Sequence, residues 1–182
     1  MTPAQPAPND GHDELRRQLL AMAAEDQRIR HLVDEYTGPR GEIPHDLVPE
    51  WTQVDAANTA RLAQIVAEHG WPTRSLVGDD GAHAAWLLAQ HADRNPGLQR
   101  RFLDLIRAAV AVNEASDVDL AYLTDRVAMH AGQPQLYGTQ LCRDPHGRLT
   151  PYRIADPDHV DQRRAALGLC PLADYLNPTS RP

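Results

Sequence analysis

Residues 13–36 read DELRRQLLAMAAEDQRIRHLVDEY. Leu15, Leu19, Met22, Ile29 and Val33 recur three and four apart, the spacing that lines one side of an α-helix. At roughly 100° per residue, Asp26 falls near the centre of that apolar stripe and not at its edge. A carboxylate enclosed there without a partner costs several kcal/mol. Arg30, one turn further on, is within reach of it. The two form either an oriented carboxylate in a pocket or an ion pair that locks this helix to a neighbour.

The same pattern returns three times. Asn58 sits among Val54, Leu62 and Ile65. Gln90 and His91 lie on a helix of Ala, Leu and Trp. Asp125 shares a side with Val118, Tyr122 and Met129, while Leu120, Leu123 and Val127 form the opposite side. A helix apolar on two sides is buried on both, so Asp125 is enclosed, with Arg126 next to it. Four polar residues in four apolar stripes predict helices facing one another around a shared polar pocket.

The rest of the chain supplies boundaries for those helices. Residues 1–12, rich in Pro and Ala at the start, read as a disordered arm before a single domain over 13–178. GPRGEIPHDLVPEW (38–51) has three prolines and two glycines and reads as an irregular loop. Thr52 with Asp55 reads as a capping box for a helix that stops at Gly70. A third helix is expected over about 80–92. Asn95-Pro96 opens a fourth, running to about Glu114, and Ser116 with Asp119 caps a fifth that ends near Gly132. QLYGTQLCRDPHGRLTPYRI reads as a hairpin around DPHG, and Asp156-Pro157 starts a short helix that closes at Gly168. The expected fold is mainly α: a bundle of five to six helices with a small C-terminal β-hairpin.

Composition excludes several chemistries. All 18 basic residues are arginine. Without lysine there is no Schiff-base anchor for pyridoxal phosphate, no Walker lysine and no protein-kinase lysine. Ser75, Ser116 and Ser180 are the only serines, and none lies in GxSxG or SxxK. A net charge of −7, with dispersed arginines, argues against nucleic acid as a partner. There is no apolar run of about 18 residues to span a membrane and no charged-then-apolar leader pattern. Cys142 and Cys170 lie far apart in no zinc spacing and read as reduced thiols of a cytoplasmic protein.

The candidate residues therefore belong to acid–base chemistry. Asp26, His91 and Asp125 are the candidate proton carriers. Arg30 and Arg126 would hold an anionic group. Asn58, Trp71, Gln90, Tyr122, Tyr137 and Gln140 would shape and orient a substrate, Gly138 allowing close backbone approach. On the third helix His83, Trp86, Leu87, Gln90 and His91 share one face and Ala85, Ala89 and Ala92 the other. If the alanine face is the packed one, those histidines are exposed. No metal is expected: the only ExxH, Glu42 to His45, lies in the Pro-rich loop, and His83 and His91 lack the i,i+4 spacing of a zinc helix.

The blocks HGWPT (69–73), VG (77–78), QHAD (90–93), YLTDR (122–126) and QLYGTQ (135–140), followed by RRAALGLCPLADYL, occur in that order. Together they resemble a bacterial domain family of unknown function, over roughly residues 13–176. The resemblance implies no activity or cofactor. Its recurrent positions correspond to Trp71, Gln90, His91, Asp125, Arg126, Tyr137 and Gln140, which overlaps the cluster read from helix phase.

The leading expectation is a cofactor-independent hydrolase, lyase or cyclase acting on a small polar or anionic molecule. The alternatives are a non-catalytic ligand-binding or interaction module and a metal-dependent enzyme using His83, His91 or His130.

Overall fold

A computed structural model describes residues 10–36 and 43–177. Five long helices carry the fold: α1 (Asp10–Tyr36), α2 (Leu47–His69), α3 (Arg74–Gln90), α4 (Pro96–Ala111) and α5 (Asp117–His130). A two-stranded antiparallel hairpin follows, β1 (Leu141–Arg143) with β2 (Leu149–Pro151), in the register Cys142 opposite Thr150. The chain then makes a 3₁₀ turn (Pro157–His159) and two short helices, α6 (Val160–Ala166) and α7 (Leu172–Leu176). The mainly α bundle with a small hairpin is what the sequence predicts, with α7 as an addition.

The middle of the bundle is α3, which packs on α1, α2, α4 and α5. Its sequence permits this. Ala82, Ala84, Ala85 and Ala89 are buried and let neighbouring backbones come close. Around it lie Leu19, Ile29, Leu62, Ile65, Phe102, Ile106 and Leu123, all fully enclosed. Each such side chain contributes about 1.5–3 kcal/mol relative to exposure.

Local chemistry sets the helix ends. The Asn95 side chain accepts from the Leu98 amide at 3.1 Å, and Pro96 occupies the first turn of α4. The Ser116 hydroxyl accepts from the Asp119 amide at 3.3 Å. Two boundaries differ from expectation. The second helix starts at Leu47, not Thr52, because Pro49 falls in its first turn, where the missing N–H is no loss. Thr52 and Asp55 are therefore inside the helix and not a cap. The third helix begins at Arg74, makes one turn, and is kinked at Gly78 (φ 74°, ψ 171°). Glycine alone takes that conformation without strain. Helix α4 stops at Ala111, short of Glu114. Residues 1–9, most of the expected arm, and Glu42 of the ExxH pair lie outside the described residues.

Candidate functional site

Asp26 is fully buried, as its place in the α1 stripe requires. Its principal partner comes from α3. His91 follows the last helical residue there, and its Nδ1 lies 2.9 Å from both Asp26 oxygens. Arg30 sits beside them, its Nε 3.2 Å from each Asp26 oxygen and 2.9 Å from His91 Nδ1. Its Nη2 donates to Asp55 Oδ1 at 2.7 Å, and its guanidinium lies 5.3 Å from the Trp51 ring centre. Gln27 donates to Asp26 at 2.9 Å. Asn58 reaches the Met22 carbonyl at 3.5 Å, joining α2 to α1 one turn before Asp26.

One imidazole nitrogen cannot donate to Asp26 and also accept from Arg30. Two carboxylate oxygens at 2.9 Å favour Nδ1–H donating to Asp26, with the Arg30 Nε–H directed at the same carboxylate. Nε2 then carries the free lone pair, and it has no hydrogen-bond partner among the described residues.

The two carboxyl groups of this centre are driven apart. Burial pushes the Asp26 carboxyl up, but His91 and Arg30 outweigh it and hold it below the usual range. Burial also pushes Asp55 up, and there Arg30 and His91 do not overcome it, with Asp26 and Asp93 adding to the rise. Two neighbouring carboxyl groups whose surroundings shift them in opposite directions are a common acid–base arrangement.

A second network begins two residues beyond His91. Arg126 grips Asp93 with two nitrogens, Nε at 3.0 Å, and its Nη1 donates to Gln140 Oε1 at 3.0 Å. Gln99 donates to Asp93 at 2.9 Å and meets His130 Nδ1 at 3.2 Å. Burial pushes Asp93 up, but the hydrogen bond and charge of Arg126 hold it down. Burial pushes His130 down.

Asp125 has a different role from the one expected. It is fully enclosed, but neither Arg126 nor Arg30 compensates it. The amides of Leu136 (2.7 Å), Tyr137 (3.1 Å) and Thr139 (3.0 Å) and the Thr139 hydroxyl (3.0 Å) all donate to its carboxylate. Its lone pairs are taken by the loop it holds. The four helices do not bring these polar residues into one pocket: Asp26 and His91 meet, Asn58 bonds α1 one turn away, and Asp125 stands in a loop-anchoring cluster of its own.

Other expected residues divide similarly. Trp71 is a core residue packed on Phe102, ring centres 6.2 Å apart. Tyr122 is set edge-on to Trp86 and Tyr175, and burial raises its phenol. Tyr137 serves through its backbone, donating to Asp125 and accepting from Arg164 at 2.8 Å. Gln90 is buried and its Oε1 lacks a partner among the described residues. Gln140 braces Arg126 as above. The alanine face of α3 is packed, as expected, yet Trp86 on the histidine face is buried too, under Tyr122.

Sequence reading missed Asp55, taken for a cap, and Asp93, which stood in the QHAD block without a role. It also missed Arg164, fully buried, which donates to the carbonyls of Cys170 (2.7 Å) and Tyr137 and lies 4.8 Å from the Tyr175 ring centre. The repeated arginine in RRAALGLC was the available signal. His83, His91 and His130 each pair with a different carboxylate or amide. Among the described residues no three His, Cys, Asp or Glu side chains form a metal-binding group.

The model of a family of unknown function, DUF6624, matches residues 13–179. The chain belongs to that family. Over 115 residues it is also 28% identical to a leucine–tRNA ligase of Halobacterium salinarum, a match covering 62% of this chain. The chain spans only 12% of the length of that relative. No solved structure matches. Within the matched span, residues 90–93 supply His91 to the first network and Asp93 to the second, and Arg126 completes the second. Among the described residues no helix is long and apolar enough to cross a membrane.

Proposed function

We propose that the chain is a cofactor-independent acid–base enzyme acting on a small polar or anionic molecule. The observation that carries this reading is His91, held at Nδ1 by buried Asp26 and without a partner at Nε2 among the described residues. Asp26 fixes the ring and stabilises the imidazolium when Nε2 takes a proton. Arg30 ties Asp26 to Asp55, whose carboxyl burial pushes up. Arg126, braced by Gln140, orients the substrate from beyond Asp93. Proton abstraction and return of this kind suits hydrolysis, elimination or ring closure. The two free cysteines support a cytoplasmic setting. The leucine–tRNA ligase match does not alter the reading: it covers a small part of that enzyme, and a chain of net charge −7 is poorly suited to hold RNA.

A non-catalytic ligand-binding or interaction module is the second reading. Asp125 favours it, because that polar cluster is fully paired and serves the fold.

The test is unbiased turnover. Wild type and His91→Gln are incubated with a bacterial small-molecule extract and compared by mass spectrometry. A compound consumed by wild type and spared by a folded His91→Gln variant supports the enzyme. Consumption of nothing, or equal consumption by both, supports the module.

A further inference from the structure

A second histidine–aspartate pair lies outside the centre just described. Asp119, buried near the start of α5, places its two oxygens 3.1 and 3.2 Å from His83 Nδ1. The His83 ring also lies against Trp86, ring centres 4.7 Å apart. The ring is thus fixed at Nδ1 and on one face. Its side chain is 59% exposed, and Nε2 has no partner among the described residues.

This ring forms part of the wall of a cavity of about 200 Å³, together with Arg74, Asp79, Ser116 and Asp119. Ala82, Ile106 and Ala115 give it an apolar floor. The polar groups left to face a ligand are mainly donors. His83 offers Nε2–H when protonated, Ser116 its hydroxyl, and Arg74 the Nε and Nη2 side of its guanidinium, its Nη1 donating to the Asn113 carbonyl and Oδ1 at 3.3 Å. The acceptors nearby are already engaged. Asp119 is held by His83, and Glu114 accepts from the Ser75 amide at 2.9 Å. Arg74 bonds Asp79 at 2.8 Å, but Asp79 is 87% exposed and belongs to the rim. A solvent-screened pair of that kind is worth little, so a ligand can replace Asp79 on the guanidinium.

We propose that this cavity binds the oxyanion group of a small molecule, a carboxylate or phosphate, between Arg74 and His83, with Asp79 standing in for it in the free protein. The site is independent of His91. Asp119 raises the His83 pKa above its ordinary 6.5, against a smaller opposing effect of burial. Among the described residues lining the cavity with His83, the charged groups are Asp119 from α5 and Arg74 and Asp79 from α3, and α4 gives the apolar Ile106. Affinity is therefore strongest below pH 6.5 and falls as pH rises through the raised value.

Inorganic phosphate and acetate, titrated separately while the His83 ring is followed by NMR, test this. We expect saturable binding of at least one, weakening with rising pH. Arg74→Gln and His83→Gln, checked for folding by thermal melting, should each weaken it about tenfold, the scale of one charge-assisted hydrogen bond. Asp79→Ala should tighten it, because the internal competitor is gone, and His91→Gln should leave it unchanged. No saturable binding of either ion overturns the proposal. So does binding of undiminished affinity in His83→Gln, or binding that weakens in Asp79→Ala.

Discussion

Replacing Asp125 by Asn separates an anchor from an acid–base group. The carboxylate receives three backbone amides and one hydroxyl, divided between its oxygens: Leu136 on Oδ1, Thr139 on Oδ2, and Tyr137 on both. An amide keeps one acceptor and turns a donor toward the other side. Whichever way it is placed, the Leu136 or the Thr139 amide then faces an NH₂ group. One orphaned buried N–H costs about 1–3 kcal/mol, and the surviving bonds lose their charge assistance. A total near 3 kcal/mol follows, which lowers Tm by about 6–12 °C in a chain of this size. Urea unfolding measures the first quantity. Hydrogen exchange at residues 136, 137 and 139 shows whether the loss begins in the loop. A loss below about 1 kcal/mol, with the three amides still protected, would refute the anchoring role.

Gly138 (φ +69°) lies against α7, and an added Cβ would meet Leu172 Cδ1 at 3.0 Å and Ile154 Cδ1 at 3.1 Å. Gly138→Ala should therefore cost about 1–3 kcal/mol by thermal melting, and an unchanged Tm would contradict the contact. Arg164→Lys cannot reach both the Cys170 and Tyr137 carbonyls, so limited proteolysis should cut faster within residues 165–177; an unaltered digestion rate argues against the clamp. Asp26 and Asp93 are held below their ordinary 3.8, so the stability they supply is complete above that value and is lost as pH falls through the lowered ones. Asp55 runs the other way, its cost being relieved as pH falls through its raised value. Urea unfolding across pH should show stability held down to about pH 4 and falling beneath it; a decline beginning well above the carboxylate range would contradict the Asp26 and Asp93 pairings.

Helix phase made Asp26 legible before any coordinates, because a carboxylate in an apolar stripe must find a partner. It made His91 legible in the same way, and the caps at Asn95 and Ser116 located α4 and α5. Proline misled at α2, since Pro49 marks a loop by composition yet fits the first helical turn. The misplaced start also disguised Asp55, which resembles a capping residue three after Thr52 and instead faces Arg30. Asp125 was correctly read as enclosed, its charge met by arginine or by hydrogen bonds; the hydrogen bonds are what the structure has, and their donors could not be named. Its donors are backbone amides of a loop 11 to 14 residues away, and amides leave no side-chain pattern to read. Arg164 escaped for the same reason, its acceptors being carbonyls.

The proton position on neutral His91 tests the proposed centre most directly. With ring-¹⁵N-labelled histidine, the nitrogen shifts distinguish Nδ1–H from Nε2–H. We expect Nδ1–H donated to Asp26, with Nε2 unprotonated and available as a base, and expect Asp26→Asn to disturb that preference. A proton found on Nε2, with Nδ1 accepting from Arg30 instead, would remove the base and contradict the proposed chemistry.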